Sequence, residues 1–272
     1  MSVAARLSLL VLGGWILLAL VAPLLRLAPE AISLPQIMEA PSWASWFGYD
    51  DLGRRQADRL IYALRTSMLV VIIVVPLSAA IGAAVGIAAA WRGGAFDACI
   101  ARLMDIFLAF PGTLLAIAMA GLLGPGIGNV IVALTAVSWV GYARMARAQA
   151  HAVKTREHVQ AARVLGTRTP TVLLRHVLPL VAAPLLMEVT LGVAGVIVAE
   201  AGLSFLGLGV QPPSASLGAM LRDGTAYMLV APHMVIVPGV ALLLLMLACN
   251  LLCDTLQRRL DPRRSQHALP PA

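Results

Sequence analysis

Long apolar runs separated by short polar stretches dominate this chain, and it is the length of those runs that predicts the elements. Residues 7–25 form an almost uninterrupted apolar stretch, and further runs cover 67–91, 99–123, 127–143, 181–198 and 229–252. About 20 apolar residues in a helix cross a hydrocarbon core of about 30 Å, so each run predicts one membrane span, the fourth being somewhat short. Local chemistry punctuates the runs. Arg92, Gly93 and Gly94 stop the second, Pro111 is expected to kink the third, and Gly124, Pro125 and Gly126 turn the chain into the fourth. Arg6 precedes the first run as in a secretory signal, but no small-residue cleavage site follows it, so a retained first helix is expected. The fold class read from this pattern is an all-α, polytopic membrane protein of six transmembrane helices. Its organisation is a first helix plus outer loop over 1–66, a transmembrane domain over 67–260 and a tail over 261–272.

Composition agrees with the pattern and charge refines it. Of 272 residues, 60% are hydrophobic and 12% charged, against about 25% charged in soluble domains, so lipid rather than water is the main solvent. A net charge of +7 would suggest a nucleic-acid partner in a soluble protein. Here the basic residues cluster between spans, and the positive-inside rule absorbs them. With both termini in the cytoplasm, the inner side receives Arg6, Arg92, Arg102, Arg144, Arg147, Lys154, Arg156, Arg163 and the basic tail, while the outer arginines are offset by nearby acids. The topology expected is N-in, C-in, and no nucleic-acid partner is required. Cys249 and Cys253 share a helix face and are expected to be buried, inert thiols. His151, His158, His176, His233 and His267 are scattered and form no metal motif.

The long connection over 144–180 carries the most information. Thr155 is expected to cap a short helix with Glu157 in its first turn, paired alanines Ala161 and Ala162 on a smooth surface, and Gly166 as its stop. Val159, Ala162, Val164 and Leu165 make that helix partly apolar, which suits insertion into a groove on a partner protein. Leu178 and Pro179 announce the next helix. The chain has one lysine, Lys154, preceded by Gln149, Ala150, His151, Ala152 and Val153. A phosphate-binding loop needs a lysine after a glycine-rich cradle, so no nucleotide site is expected here.

These residues resemble the EAA loop of bacterial ABC importer permeases, with Gln160, Ala161, Ala162, Gly166, Leu178 and Pro179 at the motif positions and Gln160 where the family usually has glutamate. The resemblance narrows to the peptide, nickel and opine branch. The stretch from Phe47 through Gly48, Tyr49, Asp50, Asp51, Leu52 and Gly53 to Arg54 is similar to that branch's outer-loop motif. Ala199, Glu200, Ala201, Gly202, Leu203, Ser204 and Phe205 on to Pro213 match its most recognisable stretch, and Leu260, Asp261, Pro262 and Arg263 match its C-terminal end. The resemblance implies a second, homologous permease chain, two cytoplasmic ATPase subunits that use ATP and Mg, an external solute-binding protein and a bacterial inner-membrane location. This chain would carry no cofactor and would not itself be an enzyme. The helix from Thr155 to Gly166 would be where the ATPase docks, with Glu157, Gln160, Ala161, Ala162, Gly166, Leu178 and Pro179 as the coupling residues. The implied cargo is a di- or oligopeptide, with a nickel chelate or an opine as alternatives, and a stand-alone secondary transporter is the rival from another class.

Five charged residues complete the candidate set. Asp50, Asp51 and Arg54, together with nearby Asp58, are read as a solvated loop held by weak ion pairs, with contact to the binding protein as the functional alternative. Glu188 and Glu200 are carboxylates in the fifth helical region, where an unpaired charge is costly. Structural capping and substrate contact are balanced for Glu200, as are pathway lining and simple pairing for Glu188.

Overall fold

The computed structural model describes residues 3–25 and 27–260. Among these residues the chain is helical, with a lone antiparallel bridge between Tyr49 and Arg55 in place of any sheet. The principal helices are α1 (Val3–Val21), α2 (Gln56–Arg92), α3 (Gly94–Leu108), α4 (Gly112–Leu123) and α5 (Ile127–Lys154). They are followed by α6 (Glu157–Val164), α7 (Thr169–Val172), α8 (Leu178–Phe205), α9 (Leu217–Thr225) and α10 (His233–Leu260). Four of the long helical stretches are individually long and apolar enough to cross a membrane, and α3 with α4 form a bent pair that counts as a fifth if it is one broken span rather than a re-entrant loop. In α1, 19 residues long, the apolar part Ser8–Val21 is shorter than a full span, so among the described residues four to five spans stand where the sequence led to six.

The helices overrun the apolar runs because nothing stops them where hydrophobicity ends. α2 begins at Gln56 inside the segment read as outer loop, and α5 continues beyond Ala143 to Lys154. The third run departs further from expectation. Pro111 does not merely kink it: α3 ends at Leu108, α4 starts at Gly112, and their axes differ by 86°. Proline denies a backbone donor and crowds the preceding turn, and Gly112 begins a new helix directly after it.

Packing is organised around α2, whose small residues let α5 approach closely. A Cβ on Gly82 would lie 2.5 Å from the carbonyl oxygen of Trp139, and one on Gly86 would collide with that of Ala143. Small residues spaced four apart are the usual means by which membrane helices bring backbones together. At one end of the bundle the C-terminus of α2 is closed by Lys154 at the end of α5, which donates to the carbonyls of Ala90 at 3.0 Å and Trp91 at 2.7 Å. Nearby, Arg147 grips Asp97 of α3 through two hydrogen bonds of 2.6 and 2.7 Å. Between α7 and α8 the helix widens into a π turn over Leu173–Val177. Pro179 cannot donate to the carbonyl of Arg175, and the wide turn accommodates that missing bond.

Candidate functional site

At the end of the bundle that carries Lys154, α6 lies between α5 and α7. The sequence assigned its cap to Thr155, but that hydroxyl turns back to donate to Ala152 on α5 at 3.1 Å, and Arg156 occupies the N-cap position without a side-chain bond. The reason is the length of α5, which runs to Lys154 and makes Thr155 its own C-cap. The expected stop is present: Gly166 has φ +77°, its N–H donates to Arg163, and Thr167 N–H reaches back to Ala162. These paired bonds satisfy carbonyls of the last turn, and the left-handed residue favours glycine.

The faces of α6 divide its residues. Val159 is fully buried against α5, α7 and the π turn, and Ala162 is half-buried beside it. Glu157, Gln160 and Ala161 face outward, and Gln160 makes a long 3.4 Å bond to the carbonyl of Thr155. Val164 and Leu165 are 87% and 83% exposed. An open recess bordered by Gln160, Arg163 and Val164 lies beside them. The Arg163 guanidinium rests 5.2 Å above the Trp91 ring, which ties this face to the end of α2. Leu178 packs half-buried against the same cluster as Val159, while Pro179 is exposed at the start of α8. The motif residues of the loop therefore gather at one end of the bundle.

The two carboxylates of α8 have different surroundings. Glu200 is 1% exposed, and both its oxygens accept hydrogen bonds of 2.8 Å, from Ser67 on α2 and Ser204 one turn along α8. Glu188 is only half-buried and, among the described residues, makes no hydrogen bond or ion pair. It borders a recess of about 220 Å³ between α5 and α8 whose lining includes Ser138, Gly141, Tyr142, Gly192 and Gly195. Glycines set its close contacts: the Glu188 carboxylate lies 3.5 Å from where a Cβ on Gly141 would sit, and Gly192 admits the Tyr142 hydroxyl, which a Cβ there would strike. These partners were missed in the sequence. The signal available was glycine spaced along α8 opposite a polar stripe on α5.

The charged loop corrects the expectation of a solvated loop. Asp50 is 3% exposed, Arg54 6% and Arg59 3%. Asp50 accepts from the backbone N–H of Leu52 and Arg54, from the Arg54 side chain at 2.7 Å, and from Arg59. Arg59 also faces Asp223 of α9 at 3.6 Å. His233 at the start of α10 meets the carbonyl of Tyr49 at 3.0 Å, and Asp58 accepts from Ala28. The loop is thus folded inward onto α2, α9 and α10, and its charges are removed from water because those helices converge there. Asp51 stays partly exposed beside Arg54. Burial and the neighbouring Asp50 carboxylate raise its pKa above the ordinary aspartate value. Of the C-terminal motif, Asp261, Pro262 and Arg263 lie outside the described residues.

Comparison with known proteins gives concordant results. The family model described as "Binding-protein-dependent transport system inner membrane component" matches residues 80–266. A putative peptide transport system permease protein of Brucella suis biovar 1 (strain 1330) is 39% identical over 259 residues, covering 95% of this chain and 87% of that relative. The glutathione transport system permease protein GsiD of Escherichia coli O157:H7 is 40% identical over 223 residues, 82% of this chain and 74% of the relative. Among solved structures, the MetNI methionine ABC transporter in an inward-facing conformation aligns with TM-score 0.62 at 17% identity, over 76% of this chain and 98% of the matched chain. That last similarity establishes the fold alone.

Proposed function

The chain belongs to the family of binding-protein-dependent transport system inner membrane components, and from that premise we propose how it is coupled and what it carries. It is the permease subunit of an ABC importer and not an enzyme, since ATP hydrolysis lies in separate subunits. That membership sets aside the stand-alone secondary transporter. In the proposed assembly it pairs with a second, homologous permease chain. Two ATPase subunits with bound ATP and Mg engage the cytoplasmic end, a solute-binding protein delivers cargo from outside, and both termini face the cytoplasm.

The observation that carries the coupling reading is α6. A helix anchored by one buried valine and presenting Val164 and Leu165 to water has the anatomy of a knob awaiting a groove. ATP-driven closure of the ATPases would push on α6, and the contacts of Val159 and Leu178 would pass the push to α5 and α8. Gln160 offers a hydrogen bond where a glutamate would offer a charge. Two substitutions test the reading in the assembled transporter. Val164→Asp is expected to release the ATPase subunits during co-purification. Gly166→Val, which forces a β-branched residue into the left-handed region, is expected to leave ATP hydrolysis running while uptake falls, whereas Gly166→Asn retains coupling because asparagine tolerates that conformation. Intact co-purification of Val164→Asp together with intact coupling in Gly166→Val would remove α6 as the docking element.

The proposed cargo is a small peptide. One relative is named for peptide transport and another for glutathione, itself a tripeptide. Mass spectrometry of ligand retained by the cognate binding protein tests this directly: a di- or tripeptide is expected, and a nickel chelate or an opine would replace the assignment.

A further inference from the structure

The carboxylate of Glu188 stands in the wall of a recess between α5 and α8, with no cation bonded to it among the described residues. Glu188 lies ten residues beyond Leu178 on α8, about 15 Å along the helix axis at 1.5 Å per residue. It falls near the middle of the helical stretch Thr169–Phe205, which is long and apolar enough to cross a membrane. Among the described residues no hydrogen bond or ion pair engages it. The basic residues nearest in sequence on the facing helix are not available to it: Arg147 is committed to Asp97, and Arg144 is exposed without an ion pair to Glu188. Glu200, on the same helix, shows the contrast, with both oxygens occupied inside the protein.

An unpaired carboxylate facing lipid would be strongly disfavoured, so intramembrane acids line water-filled cavities or meet a cation. The recess of about 220 Å³ has room for several waters at about 30 Å³ each, enough to solvate Glu188. Its walls combine open space with polar groups. A Cβ on Gly195 would meet nothing within 4 Å, Gly192 makes room for the Tyr142 hydroxyl, and the Ser138 and Tyr142 hydroxyls add hydrogen-bonding capacity around a single negative charge. A group that fits this arrangement is compact, positively charged and rich in N–H donors.

We propose that Glu188 forms a cation subsite in the translocation pathway, receiving the α-ammonium group of the peptide as it crosses the membrane. This inference rests on the peptide reading above. A second source of the same chemistry is an arginine or lysine of the partner permease, and the test separates the two. The complete transporter with its binding protein is reconstituted in proteoliposomes and given a mixture of di- and tripeptides with free amino termini, with uptake read by mass spectrometry. Glu188→Gln removes the charge and keeps the shape. It is expected to lower the uptake rate about tenfold, the scale of one charge-assisted hydrogen bond. Glu188→Asp, which restores the charge, is expected to recover most of the rate, and both variants should assemble in normal amounts with normal thermal stability. Uptake by Glu188→Gln at the unaltered rate overturns the subsite while leaving the peptide reading intact. Loss of the partner permease from purified Glu188→Gln would assign the cation to that partner and overturn the cargo assignment. Absence of peptide uptake by the unaltered transporter overturns the peptide reading and this inference with it.

Discussion

Asp50 and its neighbours show how far a charged residue's energetics depend on where it is folded. A surface ion pair contributes about 0–1 kcal/mol. A buried one broken from one side costs about 3–5 kcal/mol, because the remaining charge has no water to receive it. With Asp50 3% exposed and Arg54 and Arg59 both donating to it, Asp50→Asn is expected to destabilise the protein by about 3 kcal/mol, seen as a lowered thermal midpoint in detergent. Asp51 behaves in the opposite sense. Burial raises its folded-state pKa, Asp50 and Asp223 add to the rise, and Arg54 and Arg59 oppose it. A carboxyl group whose pKa is raised on folding holds its proton more tightly in the folded state, so its ionisation begins to penalise the fold above the unfolded value and does so fully above the raised one. Asp51→Asn is therefore expected to stabilise the protein at neutral pH, with the gain shrinking as pH falls and gone below the unfolded value near 3.8. A gain that persists at that acidic end would mean that Asp51 acts through something other than its charge.

Among the elements, α2 and α5 form the contact on which the bundle is built. Their approach depends on Gly82 and Gly86, where any side chain would strike the backbone of α5. Gly86→Val is expected to cost about 1–3 kcal/mol through forced separation of the helices, measured as loss of folded protein on heating in detergent. A Cβ on Gly121 of α4 would meet nothing within 4 Å, which makes that position the control, since Gly121→Ala should be tolerated. The breaks between elements were partly legible in the chain. Gly93, Gly94 and Gly166 mark true ends because each takes a positive φ, a preference local to the residue. Pro111 announced a disturbance but not its size, because an 86° bend depends on what α3 and α4 each pack against. Thr155 looked like a cap from its neighbours, yet whether it starts one helix or finishes another depended on how far α5 extends.

For the whole molecule, orientation is the property that joins these parts into a transporter. Cys99 is exposed on α3, close to the end of the bundle that also carries Arg92 and α6, whereas Cys249 and Cys253 are buried along an apolar cavity between α1, α2, α8 and α10. A membrane-impermeant maleimide is expected to label Cys99 in inside-out vesicles and leave right-side-out vesicles unlabelled. The reverse pattern would invert the topology and move α6 away from any cytoplasmic ATPase. By itself the sequence determined that this is a helical membrane protein, where most spans lie and that a glycine-stopped helix precedes Leu178 and Pro179. Run length, glycine conformation and motif spacing are local properties, so they can be read without knowing which helices meet. Only the tertiary structure decided that the Asp50 cluster is buried, that Glu200 is fully bonded and that Glu188 is left facing an open recess. Burial and pairing are set by residues far apart in the chain, and two carboxylates with equal claims in the sequence acquire different surroundings once α2 covers one and the glycines of α5 and α8 uncover the other.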